Sequence, residues 1–146
     1  MTSAAVLGDR VAVEELLSRY TWAIDAQEWD DLPGLFTPDV TIDYRELAGE
    51  EALFHGVPDA TAFLRKSLGW REDALPWHFF SNSIIAIDGD LATSRHYMHN
   101  RHLTVLGRYY LQFLRTDQGW RITSLTLKAT IRRGPLPEGP LAPPTD

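Results

Sequence analysis

The sequence contains no cysteine among its 146 residues. This absence excludes disulfides, thiolate nucleophiles and cysteine-ligated metal centres. No apolar run approaches the ~20 residues that a membrane-spanning helix needs, and the first ten residues lack the apolar core of a signal peptide. We therefore expect a cytoplasmic protein that makes no use of a membrane.

Positive charge is also scarce, with 14 Lys and Arg against 20 Asp and Glu, a net charge of −6 and a pI near 5.3. An acidic chain of this kind argues against a nucleic-acid partner or an anionic membrane surface. The sequence has neither a glycine-rich phosphate loop nor a metal-binding motif. We expect no metal and no cofactor, which leaves Asp, His and Tyr as the candidate reactive groups.

Hydrophobic residues are plentiful, at 44% of the chain with five Trp, five Tyr and six Phe, so the length suits one compact domain. Residues 9–29 have the periodicity of a helix. One apolar stripe of this helix consists of Val13, Leu16, Leu17, Tyr20 and Ile24. Val11 and Trp22 lie on the opposite side, which predicts a helix that is covered on both sides.

A short second helix is predicted at residues 30–36, where Pro33 suits a first turn, and a third begins near Pro58. Residues 37–47 alternate in hydrophobicity, as expected of a strand. From Trp77 onward the pattern is β throughout, with turns at residues 88–90 and 116–119. The last thirteen residues contain five prolines and are expected to form an arm or a disordered end.

This order predicts an α+β fold: a cone-shaped α+β barrel in which three N-terminal helices pack on a strongly curved mixed or antiparallel sheet. The mouth of such a cone is a common site for a small ligand.

Three histidines in residues 96–102 have the appearance of metal ligands. On a strand, however, His99 faces away from His96 and His102, and those two lie ~20 Å apart at strand rise. A shared metal site is therefore not expected.

Alternation groups the residues of the two strands by face: His78, Phe80, Asn82 and Ile84 on one, and His96, Met98, Asn100 and His102 on the other. If the apolar members face the interior, His78 and His102 lie in an apolar cavity. A histidine can take up and return a proton near neutral pH when a carboxylate fixes its tautomer, which is a role for Asp25. The alternative is that these are core or rim histidines and that Asp25 faces water.

Residues 23–47, AIDAQEWDDLPGLFTPDVTIDYREL, resemble the matching segment of fungal scytalone dehydratase. That enzyme belongs to the SnoaL-like group within the nuclear transport factor 2-like fold. Further points of similarity are HF at residues 78–79, the final His of YMHNRH, and GW before a last strand that ends in IRRG. The resemblance implies a single SnoaL-like domain at residues 1–134, followed by a Pro-rich tail at residues 135–146.

The resemblance implies roles for four residues. Asp25 and His78 would form a dyad, His102 would lie across the cavity, and Tyr44 would polarise a substrate carbonyl. The substrate-binding residues expected around them are Tyr20, Ile24, Phe80, Asn82, Met98, Asn100 and Tyr109.

Some positions depart from the family pattern. Ile24 occupies the position of a second carbonyl-polarising tyrosine, and Gly107 and Tyr109 replace a serine and an asparagine. We expect Gly107 to open space and Tyr109 to supply a phenol from another direction. The proton-transfer groups are kept while the recognition wall changes, which predicts a different substrate.

The predicted function is a cofactor-free dehydratase that eliminates water next to the carbonyl of a small cyclic substrate of polyketide, terpenoid or steroid type. Isomerase or cyclase chemistry on a natural-product intermediate is the first alternative, and a non-catalytic binding or dimerisation module is the second. The apolar and aromatic residues expected on the convex face of the sheet predict a homo-oligomer, a trimer or a dimer.

Overall fold

The computed structural model describes residues 3–68, 77–101, 103 and 105–132. The Pro-rich tail at residues 135–146 and His102 lie outside the described residues. Among the described residues, no helix is long and apolar enough to cross a membrane.

Helix α1 spans Ala4–Asp25, a 3₁₀ turn follows at Leu32–Leu35, and α2 and α3 span Arg45–Ala48 and Val57–Leu68. The strands are β1 (Phe36–Asp43), β2 (Leu53–His55), β3 (His78–Asp88), β4 (Leu91–Asn100), β5 (Val105–Thr116) and β6 (Gly119–Arg132). They form one open six-stranded sheet in the order β2-β1-β6-β5-β4-β3. Only the β1–β6 pair is parallel among these neighbours, so the sheet is mixed. The predicted α+β class and the helices packed on a mixed sheet are confirmed, although the sheet does not close into a barrel.

Helix α1 begins earlier and ends earlier than its periodicity predicts. Ser3 caps it by accepting a hydrogen bond from the backbone N–H of Val6. The helix therefore begins at Ala4 and includes residues 4–8. The helix ends at Asp25 because Gln27 adopts a left-handed conformation with φ of 59°. Asp25 is therefore the last helical residue.

The core lies between α1, α3 and the concave face of the sheet. It contains the predicted stripe of α1 together with inward-facing residues of the strands, among them Val40, Ile42, Leu111, Phe113, Leu125 and Leu127. The opposite side of α1 is not covered as predicted, because Val11 and Trp22 are 63% and 70% exposed.

The two hairpin turns form where the sequence predicts them. Gly89 and Gly119 both have positive φ, of 60° and 98°, which glycine adopts without steric cost. The strands on either side of each turn pair in antiparallel register, and this register brings the N-terminal end of β3 beside the C-terminal end of β4. His78 pairs with Asn100 there.

A β-bulge interrupts β3 after Ser81. Ser81 pairs with Tyr97 and Ile84 pairs with Arg95, so Asn82 and Ser83 together oppose His96. Asn82 has a φ of 54°, which places it in the left-handed region. The bulge reverses the facing of the residues that follow it: Ile84 is 55% exposed and Ile85 is buried.

Candidate active site

The end of α1 meets the start of β3 through a carboxylate and a histidine. The Nδ1 of His78 lies 2.7 Å from Oδ1 of Asp25, and the backbone N–H of His78 donates to Oδ2 at 2.8 Å. Both oxygens of Asp25 are thus held by one residue. Because the carboxylate accepts at Nδ1, that nitrogen carries a proton, and in the neutral ring the lone pair is at Nε2.

This pair is largely shielded from water, since the His78 and Asp25 side chains are only 10% and 16% exposed. A carboxylate at a helix C-terminus is opposed by the helix dipole, and partial burial adds a desolvation cost. Two charge-assisted hydrogen bonds offset both penalties. The structure therefore brings the two predicted dyad residues together and gives the unusual position of Asp25 a physical cause.

Three buried phenols form a hydrogen-bonded row inside the cone. The hydroxyl of Tyr44 lies 3.2 Å from that of Tyr20 and 2.5 Å from that of Tyr109, and all three residues are at most 3% exposed. Tyr44 follows the last residue of β1, Tyr20 comes from α1 and Tyr109 from β5. Three elements thus converge on one hydroxyl.

The electrostatics of the row single out Tyr44. Burial raises the pKa of all three phenols, and for Tyr20 and Tyr109 the pKa lies well above the ordinary value, with the charges of Tyr44 and Asp25 adding to the rise. Burial also raises the pKa of Tyr44, but hydrogen bonds from Tyr109 and Tyr20 oppose that rise. If both neighbours donate to Tyr44, its own proton is free for a third partner, which makes Tyr44 the candidate proton donor of the row.

An aromatic wall joins the phenols to the histidine strand. Phe80 packs against Tyr109 with ring centroids 4.8 Å apart, and it stacks on Tyr20 at 6.4 Å. Tyr44 in turn makes an edge contact with Phe63 of α3. The polar groups therefore lie among aromatic rings, which is the usual composition of a small-molecule site.

His96 is a buried histidine of the concave face that sequence reasoning did not place in the site. It is 2% exposed, and its two ring nitrogens lie 2.8 Å from Oγ of Ser83 and 2.7 Å from Oγ of Ser94. Burial lowers its pKa to about 4, so the ring is neutral at physiological pH. The alternation of β4 pointed to this position, because His96 shares its face with Met98.

The remaining predicted substrate-binding residues differ in whether they are buried or exposed. Ile24, Met98 and Asn100 are buried, and Asn100 accepts a hydrogen bond from the backbone of Val105. Asn82, however, is exposed on the bulge, so the prediction that it shares the face of Phe80 is wrong. The same bulge makes the corresponding prediction for Ile84 wrong. Neither position was predictable from strict alternation, because a bulge inserts residues that alternation does not count.

Gly107 does not open space as predicted. A Cβ at this position would lie 2.6 Å from the carbonyl oxygen of Lys128 and 3.1 Å from Cδ1 of Leu127. The backbone and a side chain of β6 therefore fill the volume that a larger residue would need, and the glycine permits close strand packing instead.

The described residues contain no group of three or more His, Cys, Asp or Glu side chains that could hold a metal ion. His99 lies on the outer face, where its ring stacks on Phe79 at 5.0 Å. It is thus separated from His96, as the strand geometry predicts.

Comparison with known proteins agrees with this architecture. Residues 5–126 match the model of the SnoaL-like domain. The uncharacterized protein Rv2910c of Mycobacterium tuberculosis is 35% identical over 131 residues, which cover 84% of this chain and 86% of that protein.

Solved structures share the fold. The Kfla4162 protein of Kribbella flavida superposes with a TM-score of 0.72 at 28% identity, covering 86% of this chain and 93% of that one. A protein of Novosphingobium aromaticivorans named as a candidate scytalone dehydratase gives a TM-score of 0.73 at 17% identity, covering 95% and 97%. The second likeness concerns the fold alone. With the family model matching most of its length, this chain belongs to the SnoaL-like family.

Proposed function

We propose that this protein is a cofactor-free dehydratase that eliminates water next to the carbonyl of a small cyclic substrate, with His78 as the base. The observation that carries the proposal is the two-point hold of Asp25 on His78. A carboxylate on Nδ1 fixes the tautomer that exposes a basic Nε2, and it stabilises the imidazolium that forms.

The first step removes the proton α to the carbonyl. Nε2 of His78 accepts this proton, and the electron pair of the C–H bond moves toward the carbonyl oxygen to give an enolate. Tyr44 donates a hydrogen bond to that oxygen. This role requires Tyr20 and Tyr109 to donate to Tyr44, and their hydroxyls lie close enough to do so. A buried donor whose anion is stabilised by two neighbours is suited to an oxygen that gains charge.

The second step expels the β-hydroxyl group. The enolate re-forms the carbonyl, its electron pair makes the new C=C bond, and the C–O bond breaks. The imidazolium of His78 supplies the proton that converts the leaving hydroxyl into water. One residue acting on one side of the substrate gives syn elimination. A role for His102 as a second acid remains a prediction.

The same first step serves isomerisation or cyclisation, because an enolate can be reprotonated at another carbon or can attack an electrophile. What separates these reactions is the presence of a β-hydroxyl in the substrate. The aromatic surroundings of the site favour a cyclic, partly unsaturated ligand.

The first step is testable before the natural substrate is identified. A panel of cyclic β-hydroxyketones in D₂O, followed by NMR, measures both exchange of the α-proton and formation of the enone. We expect the wild-type protein to accelerate exchange on at least one member. His78→Ala should lose ~10²–10⁴ of that rate, the usual contribution of a positioned base.

The matched control is His55→Ala, since His55 lies on β2 and is exposed. This variant should retain the wild-type rate. Equal rates for His78→Ala and wild type would contradict the proposal and favour a non-catalytic binding module. Exchange without enone formation would favour an isomerase or cyclase over a dehydratase.

A further inference from the structure

The convex face of the sheet carries a cavity of about 590 Å³ that the proposed reaction does not use. This volume lies within the range of ~300–1,000 Å³ that is usual for a small-molecule pocket. We call it the outer cavity. Three strands supply its lining residues, which are Asn82, Ser83 and Ile84 of β3, Arg95, His96 and Tyr97 of β4, and Arg108 and Tyr110 of β5.

The bulge of β3 forms a neutral wall of the outer cavity. Asn82 and Ser83 together oppose His96, and the hydroxyl of Ser83 lies 2.8 Å from Nδ1 of that buried ring. Burial lowers the pKa of His96 to about 4, so the ring is uncharged at physiological pH. Asn82 and Ile84 are exposed and offer an amide and an apolar side chain. This wall therefore contributes polar and apolar contacts but no charge.

The opposite side of the outer cavity carries two positive charges without a balancing acid. Arg95 and Arg108 are exposed, and within the described part of the chain neither side chain forms an ion pair or a hydrogen bond. No Asp or Glu is among the described residues that line the cavity. Other cations of the chain do have acidic partners: Arg45 pairs with Asp43, Arg115 with Asp9, and Lys128 with Glu46. The outer cavity is thus a local positive site on a protein of net charge −6.

Strand register brings these two charges close together. Arg95 pairs with Tyr110, and Tyr97 pairs with Arg108 on the neighbouring strand. The two arginines are therefore diagonal neighbours on one face, and such neighbours lie ~7–8 Å apart. Two positive charges at this separation repel each other. An anion between them replaces that repulsion with charge-assisted hydrogen bonds to both guanidinium groups.

The other diagonal of the outer cavity is aromatic. Tyr97 and Tyr110 are 55% and 40% exposed, and neither hydroxyl is hydrogen-bonded to another described residue. Ile84 adds apolar surface, since it is 55% exposed. A small inorganic anion would leave these rings uncovered, whereas a planar organic anion contacts the rings and the arginines together.

A second copy of the chain fits this surface less well. Placed symmetrically over the outer cavity, it would bring both pairs of guanidinium groups together without an acid among the lining residues to separate them. Contact between like charges is unfavourable, so the cavity suits an anionic ligand better than its own image. The homo-oligomer predicted from the sequence remains a prediction.

We propose that the outer cavity binds a planar aromatic carboxylate, whose acid group lies between Arg95 and Arg108 and whose ring packs against Tyr97 and Tyr110. A carboxylate has two acceptor oxygens, so one group can accept from both guanidinium groups. The cavity lies on the face of the sheet opposite to Asp25 and His78. The proposal therefore does not rest on the proposed reaction.

The test is an NMR titration of the full-length protein with 2-naphthoate. We expect saturable shifts in the backbone amide signals of Tyr97, Arg108 and Tyr110. 2-Naphthamide has the same ring system without the charge, and it should bind weaker by ~10-fold or more, the usual effect of losing hydrogen bonds to a charged group. Inorganic phosphate has the charge without the ring and should also bind weaker than 2-naphthoate.

Substitutions then identify the groups that hold the acid. Arg95→Gln and Arg108→Gln should each weaken the binding of 2-naphthoate by ~10-fold or more. Arg108→Lys keeps the charge but loses the planar fork, so its affinity should fall between those of wild type and Arg108→Gln. The matched control is Arg65→Gln, an exposed arginine of α3, which should bind as wild type does.

Four results would overturn the proposal. The first is the absence of saturable shifts at millimolar 2-naphthoate, and the second is equal binding of 2-naphthoate and either control ligand. The third is a set of shifts confined to concave-face amides such as those of Phe80 and Tyr109, since the probe would then occupy the proposed active site. The fourth is broadening of the outer-cavity signals that grows with protein concentration and that 2-naphthoate does not reverse, since a second copy would then cover this face. None of these readouts depends on catalytic activity, so this proposal and that of the reaction fail independently.

Discussion

The two faces of the sheet are built from the same strands but hold opposite kinds of chemistry. On β4, Ser94, His96 and Met98 are buried on the concave face, whereas Arg95 and Tyr97 are exposed on the convex face. On β5 the buried Tyr109 is followed by the exposed Tyr110. The concave face holds groups that are neutral or tightly paired, and the convex face holds charges that water can solvate.

This contrast shows how burial selects protonation states. Inside the cone, burial depresses the pKa of His96 and raises those of the phenols, so both kinds of group stay neutral. Asp25 keeps its place there because His78 supplies two donors. The surroundings of this paired carboxylate are neutral and largely shielded from water. Hydrogen bonds to a charge that develops during a reaction are therefore stronger there than in water.

The largest effect on the rate of the proposed reaction is expected from changing Asp25 to Asn. The amide can hold His78 in the wrong tautomer and cannot stabilise the imidazolium, so we expect a loss of ~10²–10⁴ in the rate of α-proton exchange. The matched control is Asp30→Asn, an acid five residues further along the chain whose neutralisation should leave the rate unchanged. A wild-type rate for Asp25→Asn would remove the dyad from the reaction.

Two neighbouring tyrosines of β5 allow the contribution of each sheet face to the free energy of unfolding to be measured. Tyr109→Ala removes a ring that is 1% exposed and packs on Phe80, so we expect a loss of ~3–5 kcal/mol in the free energy of unfolding. Tyr110→Ala removes a ring that is 40% exposed and should change that free energy by no more than ~1 kcal/mol. Urea unfolding followed by circular dichroism measures both. Equal losses would show that the convex face is covered as completely as the core.

Much of this architecture follows from hydrophobic period and turn chemistry. The strand alternation, the turns at Gly89 and Gly119, and the inward face of β4 were all predictable in that way. The contact between Asp25 and His78 joins residues 53 positions apart. Strand alternation placed His78 and His102 in the cavity and left Asp25 either as a histidine's partner or facing water, and the family resemblance paired it with His78. Local periodicity carries no information about such a pair.

The errors also have local physical causes. The bulge at Asn82 and Ser83 exposes Asn82 and Ile84, which alternation assigns to the interior, and no turn residue signals it in the sequence. The expectation from the family pattern that Gly107 opens space fails because the sequence does not show how closely β6 packs against this position. The shared hydroxyl contact of Tyr20, Tyr44 and Tyr109 depends on three elements converging and lay beyond any single-strand pattern.

Gly107→Ala tests that packing. The added methyl group would meet a backbone carbonyl at 2.6 Å, which cannot move without shifting β6. We expect a loss of ~1–3 kcal/mol in the free energy of unfolding, as for other overpacked sites. Gly34→Ala is the matched control, since a Cβ there has nothing within 4 Å. An unchanged stability for Gly107→Ala would show that the interior has the spare room originally predicted.

His96 allows the neutrality of the concave face to be measured against pH. Its pKa is about 4 in the folded protein and 6.5 in the unfolded chain, because burial disfavours the charged ring. Between these values the unfolded state binds more protons, so the free energy of unfolding falls as pH decreases from 6.5 toward 4 and stops falling on this account below 4. By pH 5 the loss should be on the order of 1–2 kcal/mol.

The measurement is urea unfolding at several pH values between 5 and 7. Asp9 and Asp43 have pKa values lowered by Arg115 and Arg45, so their protonation falls below this window. His96→Gln keeps a polar side chain between Ser83 and Ser94 without a titrating ring and should flatten the slope. His55→Gln, on the exposed surface of β2, should leave the slope as in wild type. An unflattened slope in His96→Gln would mean that His96 is charged or solvated in the folded protein, and the concave face would then not enforce neutrality.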